Sequence, residues 1–295
     1  MKGNPASVKS KTKARGMWAE VWRNYRKSFG AMLGLCIVGA IVLIAVAGNF
    51  YFDYEKDVVG QNIAQRLQPP SPEHWFGTDE YGRDIFARVV WGARYSLSIG
   101  FAAVLVSCLA GVVLGAVAGY YGGVAETVIM RLADIFMSVP SILLGICLVS
   151  AFGQSVSMLV VAVSIGAIPA ITRVARASVM TVRDMEFVEA ARAAGANDLV
   201  IIFRHVLMNA LAPVIVQATL RISGTIIAIA ALSFIGLGIT APTPEWGTML
   251  ASARGYIRGY SYMTLFSGLA IMITVMGFNL IGDGVRDSFD PKLKK

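Results

Sequence analysis

Apolar positions gather into long uncharged runs separated by short charged segments. The runs are Ser28 to Phe52, Tyr95 to Ala125, Ile135 to Thr172, His205 to Pro244 with Arg221 as its one interior charge, and Gly259 to Gly282. A bilayer core of about 30 Å takes about 20 helical residues at about 1.5 Å of rise each, so the first, second and last runs predict single spans. The third is too long for one and is broken by Gly153-Gln154-Ser155. It predicts two helices, from about Ser141 to Phe152 and from about Ser157 to Ala175. The fourth predicts a helix from Asn209 to Leu237 followed by a loop from Gly238 to Trp246. Six spans result. Backbone groups in lipid must be satisfied within the segment, and no alternating strand pattern is present, so the expected class is an all-α integral membrane protein.

Composition agrees, because 56% hydrophobic against 15% charged residues is more apolar surface than one soluble core of 295 residues can hide. Orientation follows from the basic residues. Lys2, Lys9, Lys11, Lys13, Arg15, Arg23, Arg26 and Lys27 precede the first span with only Glu20 opposing them, which predicts a cytoplasmic tail. Six spans return Arg286, Lys292, Lys294 and Lys295 to the same side and place 173–204 there too. The acidic segment 49–94 then lies outside. The expected divisions are a tail over 1–28, a first span over 29–48, and an external loop with an interfacial helix over 49–94. A transmembrane core over 95–283 holds a cytoplasmic loop at 180–208, and a second tail covers 284–295. The first apolar run is about 20 residues, beyond the 7 to 15 of a leader's apolar region, so it is expected to stay as a span. The net charge of +8 is accounted for by lipid headgroups and topology, with no nucleic-acid partner.

Catalytic motifs are missing from the sequence. No G-x-x-x-x-G-K-[ST] phosphate cradle and no G-x-S-x-G occurs, and His74 and His205 fall on opposite sides of the predicted membrane. Cys36, Cys108 and Cys147 sit singly within apolar runs and are expected to be small core residues. Met272 and Met276 share a helix face, spacing expected of packing rather than of a metal path. Arg131 and Asp134 are three apart and predict a local ion pair.

Between the fourth and fifth spans, Glu186 to Ala194 is made of helix formers, with Glu189 and Arg192 on one turn and small alanines at 190, 191, 193 and 194. Gly195 is placed to end that helix in a left-handed conformation, and Asn197-Asp198 to cap the next. Small side chains let a partner approach the backbone, and the two charges can set its register. Arg221 lies about 12 residues, or about 18 Å, into the fifth span. At a cost of about 2.5 to 3.5 kcal/mol in lipid, it should face the bundle or a wet cavity. Two readings stay open: a translocation path that attracts a substrate carboxylate, or a structural donor to a neighbouring span's carbonyls. The stripe Ile85, Phe86, Val89 and Val90 with Trp91 predicts an interfacial helix.

Glu189-Ala190-Ala191, Gly195 and His205-Val206-Leu207 match the EAA pattern of ABC importer permeases. From about Trp18 to Lys292 the chain resembles the permease subunits of the dipeptide, oligopeptide and nickel branch. Further matches are Gly77-Thr78-Asp79-Glu80-Tyr81-Gly82-Arg83-Asp84, Leu232 to Gly238, Pro242 to Gly247, and Phe278 to Gly284 with Arg286-Asp287 and Asp290-Pro291. His74-Trp75-Phe76 stands where the family has His-Pro-Leu, and Met208 where the motif closes on proline, which leaves the seating of the fifth span open.

The resemblance implies a type I importer fold and a coupling role for Glu189, Ala190, Ala191, Arg192 and Gly195. It also makes Asp79, Glu80, Arg83 and Asp84 an external signature that could dock a binding protein. It implies a second homologous permease subunit, two ATP-binding cassette subunits holding ATP and Mg, an external solute-binding protein and membrane lipid as partners. No cofactor is expected on this chain. Dipeptides or oligopeptides are the expected cargo, with nickel complexes or glutathione-like peptides as alternatives. An ATP-independent secondary transporter is the rival class, though neither paired repeats nor intramembrane carboxylates are apparent.

Overall fold

The computed structural model describes residues 17–289, and the lysines at 2–13, Arg15, Lys292, Lys294, Lys295 and the Asp290-Pro291 match lie outside the described residues. Among the described residues the regular structure is helical, apart from one antiparallel bridge between Thr78 and Asp84. A short amphipathic helix, α1 (Met17–Lys27), leads into the first long apolar helix, α2 (Phe29–Tyr51). Ser28 separates them, its hydroxyl accepting from the Ala31 amide at 3.3 Å. The buried Tyr25 hydroxyl donates to the Ala31 carbonyl at 3.1 Å, fixing the angle between the two.

α3 (Ile85–Tyr121) has 37 residues, about 55 Å of helix. It starts at Asp84, whose carboxylate caps the Ala87 amide at 2.9 Å, and stops where Gly122 takes φ +67°. The expected interfacial helix is therefore the first two turns of this one rod, with no break before residue 95. α4 (Gly123–Ser138) and α5 (Ser141–Phe152) meet at an 88° bend. Pro140 has no amide hydrogen and disfavours helical geometry at Val139, which is extended. The 12 residues of α5 give about 18 Å, so it is not a full span by itself; with α4 it forms one broken span.

α6 (Val156–Val182), the helix comprising α9 (Leu207–Leu232) with its extensions, and α11 (Tyr262–Phe289) complete five helices long and apolar enough to cross a membrane; the bent pair makes a sixth. α7 (Glu186–Ala193) and the single turn α8 (Asp198–Val200) precede α9, and α10 (Trp246–Ala253) precedes α11. A π-helical turn, Ile201–Val206, joins α8 to α9, so helix runs on through Met208. The fifth span is seated without the missing proline.

The most extensive packing is between α3 and α6. Ala103, Ser107, Gly111, Gly115 and Gly119 lie four apart on α3, and a carbon added at Gly115 would lie 2.5 Å from Ala175 Cβ and 2.7 Å from the Thr172 carbonyl. The Ser107 hydroxyl donates to the Ser164 carbonyl at 3.2 Å, and the Ser164 hydroxyl to the Ala103 carbonyl at 3.0 Å. Small residues let backbones approach and hydrogen-bond across the gap, which replaces the hydrophobic drive that lipid cannot supply.

α4 is tied to α6 by Arg173 to Asp134 and by Arg176 to Glu126. Asp134 thus pairs with another helix rather than with Arg131, because the bend turns α4 against α6. Cys36 and Cys147 are exposed on outward faces, not in the core as expected, and Cys108 is half-buried; all three are free. Met272 and Met276 also face outward.

Candidate coupling loop and translocation cleft

At one end of the bundle, α7 rests on the loop mainly through Val188, with the half-buried Ala191 packed beside it. Val188 is its only buried residue and joins a cluster with Val179 and Val182 of α6 and with Ile201, Ile202 and Val206. Glu186, Glu189 and Ala190 are exposed. The helix ends in a paired reverse bond, Gly195 amide to Arg192 carbonyl at 3.0 Å and Ala196 amide to Ala191 carbonyl at 3.1 Å. This closure needs a left-handed residue at its turn, and Gly195 has φ +85°. The Asn197 side chain then accepts from the Val200 amide at 2.9 Å and starts α8.

Tyr120, at the end of α3, joins both arms of the loop. Its hydroxyl donates to Asp198 at 2.8 Å and accepts from Arg192 at 3.3 Å, and the Arg192 guanidinium sits 5.9 Å from its ring. The Tyr120 hydroxyl beside it pushes the Arg192 pKa above its ordinary value. Arg192 is therefore turned to α3, and Glu186 and Glu189 are left as outward charges. Arg183 adds a bond to the Gly119 carbonyl at 2.7 Å. The sequence reading missed Tyr120 because its partners lie more than 70 residues away.

At the opposite end, residues 52–84 fold around Asp79. Its carboxylate accepts from the Tyr81 and Arg83 amides at 2.9 and 3.0 Å and from Arg83 Nε at 2.6 Å, with Arg88 Nε at 3.6 Å. Arg88 also donates to the Val58 and Pro242 carbonyls at 2.9 and 3.3 Å. Asp79 and Arg83 are only 6% and 4% exposed, so they hold the segment's own fold instead of facing outward. Asp84 caps α3 and meets His74 Nδ1 at 2.8 Å. Glu245, which sequence reasoning did not single out, is 1% exposed; it accepts from the Gly247 and Thr248 amides, each at 2.9 Å, and from the Ser96 hydroxyl at 3.2 Å, locking α10 to α3. It is both the cap of α10 and its tether.

Glu80 is the strained member of this group. Its Oε2 is buried without a hydrogen-bond partner, and burial pushes its carboxyl pKa above the ordinary value. The folded chain therefore holds that proton more tightly than the unfolded one. The stability it contributes is present in acid and lost as pH rises through the raised value. Glu80→Gln is expected to flatten the dependence of melting temperature on pH between acid and neutral conditions. Parallel melting profiles for the two proteins would show that Glu80 is not the source.

Arg221 lies in a cleft of about 120 Å³ between α5, α6 and α9, lined among others by Ser141, Gly145, Gly166, Gly224 and Thr225. No carboxylate lines it, and among the described residues Arg221 has no hydrogen-bonding or ionic partner. Among the described residues it makes none of the bonds to neighbouring carbonyls that a structural role requires. A lone cation among small side chains offers an anionic group a place to bind.

A bundle of five apolar spanning helices and one broken span, with a braced exposed loop at one end and a cationic cleft within, defines a multi-pass membrane permease. Residues 111–295 match the family described as binding-protein-dependent transport system inner membrane component, and residues 16–70 match the N-terminal TM domain of oligopeptide transport permease C. The chain belongs to the binding-protein-dependent transport family. It is 45% identical to the dipeptide transport system permease protein DppC of Alkalihalophilus pseudofirmus, over 94% of this chain and 90% of that one. It is 41% identical to the glutathione transport system permease protein GsiD of Pectobacterium atrosepticum, over 95% and 93% respectively. In fold it is similar to an inward-facing structure of the MetNI methionine ABC transporter, with a TM-score of 0.55 at 20% identity, covering 70% of this chain and 98% of that one.

Proposed function

We propose that this chain is one transmembrane permease subunit of an ATP-driven importer of dipeptides or oligopeptides, with both termini cytoplasmic. The observation that carries the reading is α7: a short helix anchored by Val188, braced through Arg192 to Tyr120, and presenting Glu189 and Ala190 outward. Separate cassette subunits bind ATP and Mg, hydrolyse the nucleotide and push on α7; this chain hydrolyses nothing. The push reaches α3 through Tyr120 and Gly119 and α6 through the Val188 cluster, the two helices with the most extensive contact. A second homologous permease completes the path. An external binding protein delivers cargo at the end carrying residues 52–84, where Asp79 and Arg83 shape the surface by keeping its fold. Ligand and nucleotide act by binding one state of the permease pair better than the other.

In this scheme Arg221 receives the carboxylate of the peptide. Arg221→Gln is expected to raise the KM for a tripeptide with a free C-terminal carboxylate by about tenfold, the value of one charge-assisted hydrogen bond. Uptake of the same peptide amidated at its C-terminus should change little. Reduced protein level with transport per molecule intact would reject the path role. Glutathione-like peptides are the second reading, favoured by the similarity to the glutathione permease. Competition between glutathione and a dipeptide for uptake by the assembled transporter separates the two.

A further inference from the structure

At the end of the bundle carrying residues 52–84, α2, α3 and α11 part to leave an apolar, half-open hollow of about 380 Å³, walled by Ile41, Ile44, Phe76, Val89, Phe266 and Ile273. An apolar cavity of about 150 Å³ already takes a benzene molecule, so this one has room for a hydrocarbon chain. It has none for another helix, whose diameter with side chains is about 10–12 Å. Ile44 and Ile273 are 51% and 38% exposed, so the hollow opens sideways, where lipid lies.

The hollow does not end in lipid-facing surface. Ile44, Phe86 and Val90 are shared with a second space of about 640 Å³ that also touches Tyr51, Trp75, Glu73 and Asp84. Tyr51 and Trp75 are exposed there, side chains that mark the level of lipid headgroups. Asp84 is already held by His74 and by the start of α3. Glu73 is exposed, and among the described residues it has no ionic partner. Just beyond, an adjoining space shares Glu73 and Asp84 and adds Asp57 and Lys56. The mouth thus offers three carboxylates and one ammonium.

We propose that this groove is a lipid site: one acyl chain of a phospholipid fills the hollow between α2, α3 and α11, and an ammonium-bearing headgroup meets Glu73 at its mouth. Lys56 is placed for the phosphate. The acidic excess selects an ethanolamine headgroup over an anionic glycerol one. The lipid serves as the missing packing between α2 and the other two helices.

The test uses the full chain with the subunits that accompany it, in bilayer discs of equal phosphatidylethanolamine and phosphatidylglycerol. After transfer to mild detergent, retained lipid is counted by native mass spectrometry. Retention of phosphatidylethanolamine over phosphatidylglycerol by about two- to fivefold is expected, the range that one exposed ion pair supplies. Ala270→Phe, on the α11 wall of the hollow, should lower retention by about tenfold by displacing methylenes of the chain. Ile44→Trp, filling the hollow from the other wall, should do the same and covers the case in which the first variant fails to fold. Glu73→Gln should keep the amount of lipid but lose the headgroup preference. Equal retention of the two lipids by the unaltered protein, unchanged retention in both filled variants, or a photocrosslink from position 273 to a partner permease instead of lipid would each overturn the proposal. None of these readouts depends on which cargo the permease carries.

Discussion

Exchanging Glu189 for Arg is expected to leave the chain folded and assembled while lowering ligand-stimulated ATP hydrolysis by about tenfold or more. The side chain is exposed and makes no hydrogen bond or ion pair among the described residues, and its helix is anchored by the buried Val188, so inside the chain the change removes only its electrostatic pull on Arg192. What changes is the charge shown to a partner. Charges that meet across an interface fix register, and placing like charges together costs several kcal/mol, against about 1.4 kcal/mol per factor of ten. Glu186 lies one turn away and is also exposed, so the outer face of α7 is acidic apart from Arg192, which Tyr120 holds to the side. The measurement is hydrolysis by the purified complex with and without loaded binding protein, beside subunit stoichiometry. Hydrolysis at the original rate with intact assembly would remove Glu189 from the coupling surface. Loss of the cassette subunits altogether would mean that α7 holds the complex together more than it signals through it.

The loop carrying α7 was largely legible because its signals are local. Helix formers from 186, Gly at 195 and Asn at 197 each act within a few residues, and the helix, its left-handed stop and the next cap fall where those residue types require. The spans were legible for the same reason: an uncharged run of sufficient length needs no knowledge of its neighbours. Long-range partners decide the rest. Asp79 and Arg83 read as outward charges in a loop, yet Arg88 and the chain near Pro242 close over them, contacts spanning some 150 residues. Asp134 meets Arg173 rather than Arg131 because a bend at Pro140 brings α4 against α6. The continuity of α3 could have been read, since no proline lies between Ile85 and Tyr95 and Gly92 is followed directly by more apolar sequence, with no cap residue to start a new helix. The small residues at 103, 107, 111, 115 and 119 were equally visible, but in a run this apolar their spacing shows a packing face only once α6 is known to cross it.

That row carries the largest expected loss of stability. Gly115→Leu should destabilise the bundle by about 3 kcal/mol, at the upper end of what overpacking costs, and lower the amount of folded protein in the membrane. The obstruction is backbone: a first side-chain carbon would lie 2.7 Å from the Thr172 carbonyl and 2.9 Å from the Arg176 amide, atoms that cannot rotate aside. The two helices must separate instead. Separation stretches the bonds between Ser107, Ser164 and Ala103 and loosens the close packing, which together hold spans against each other in lipid. It also draws the Gly119 carbonyl away from Arg183 and Tyr120 away from the loop, so coupling should fail in whatever protein still folds. Gly39→Leu is the control, since an added carbon there meets nothing within 4 Å. Thermal unfolding of both variants in detergent reads the difference directly. Equal melting would mean that α3 and α6 can slide past one another, and that the close row is not what fixes their distance.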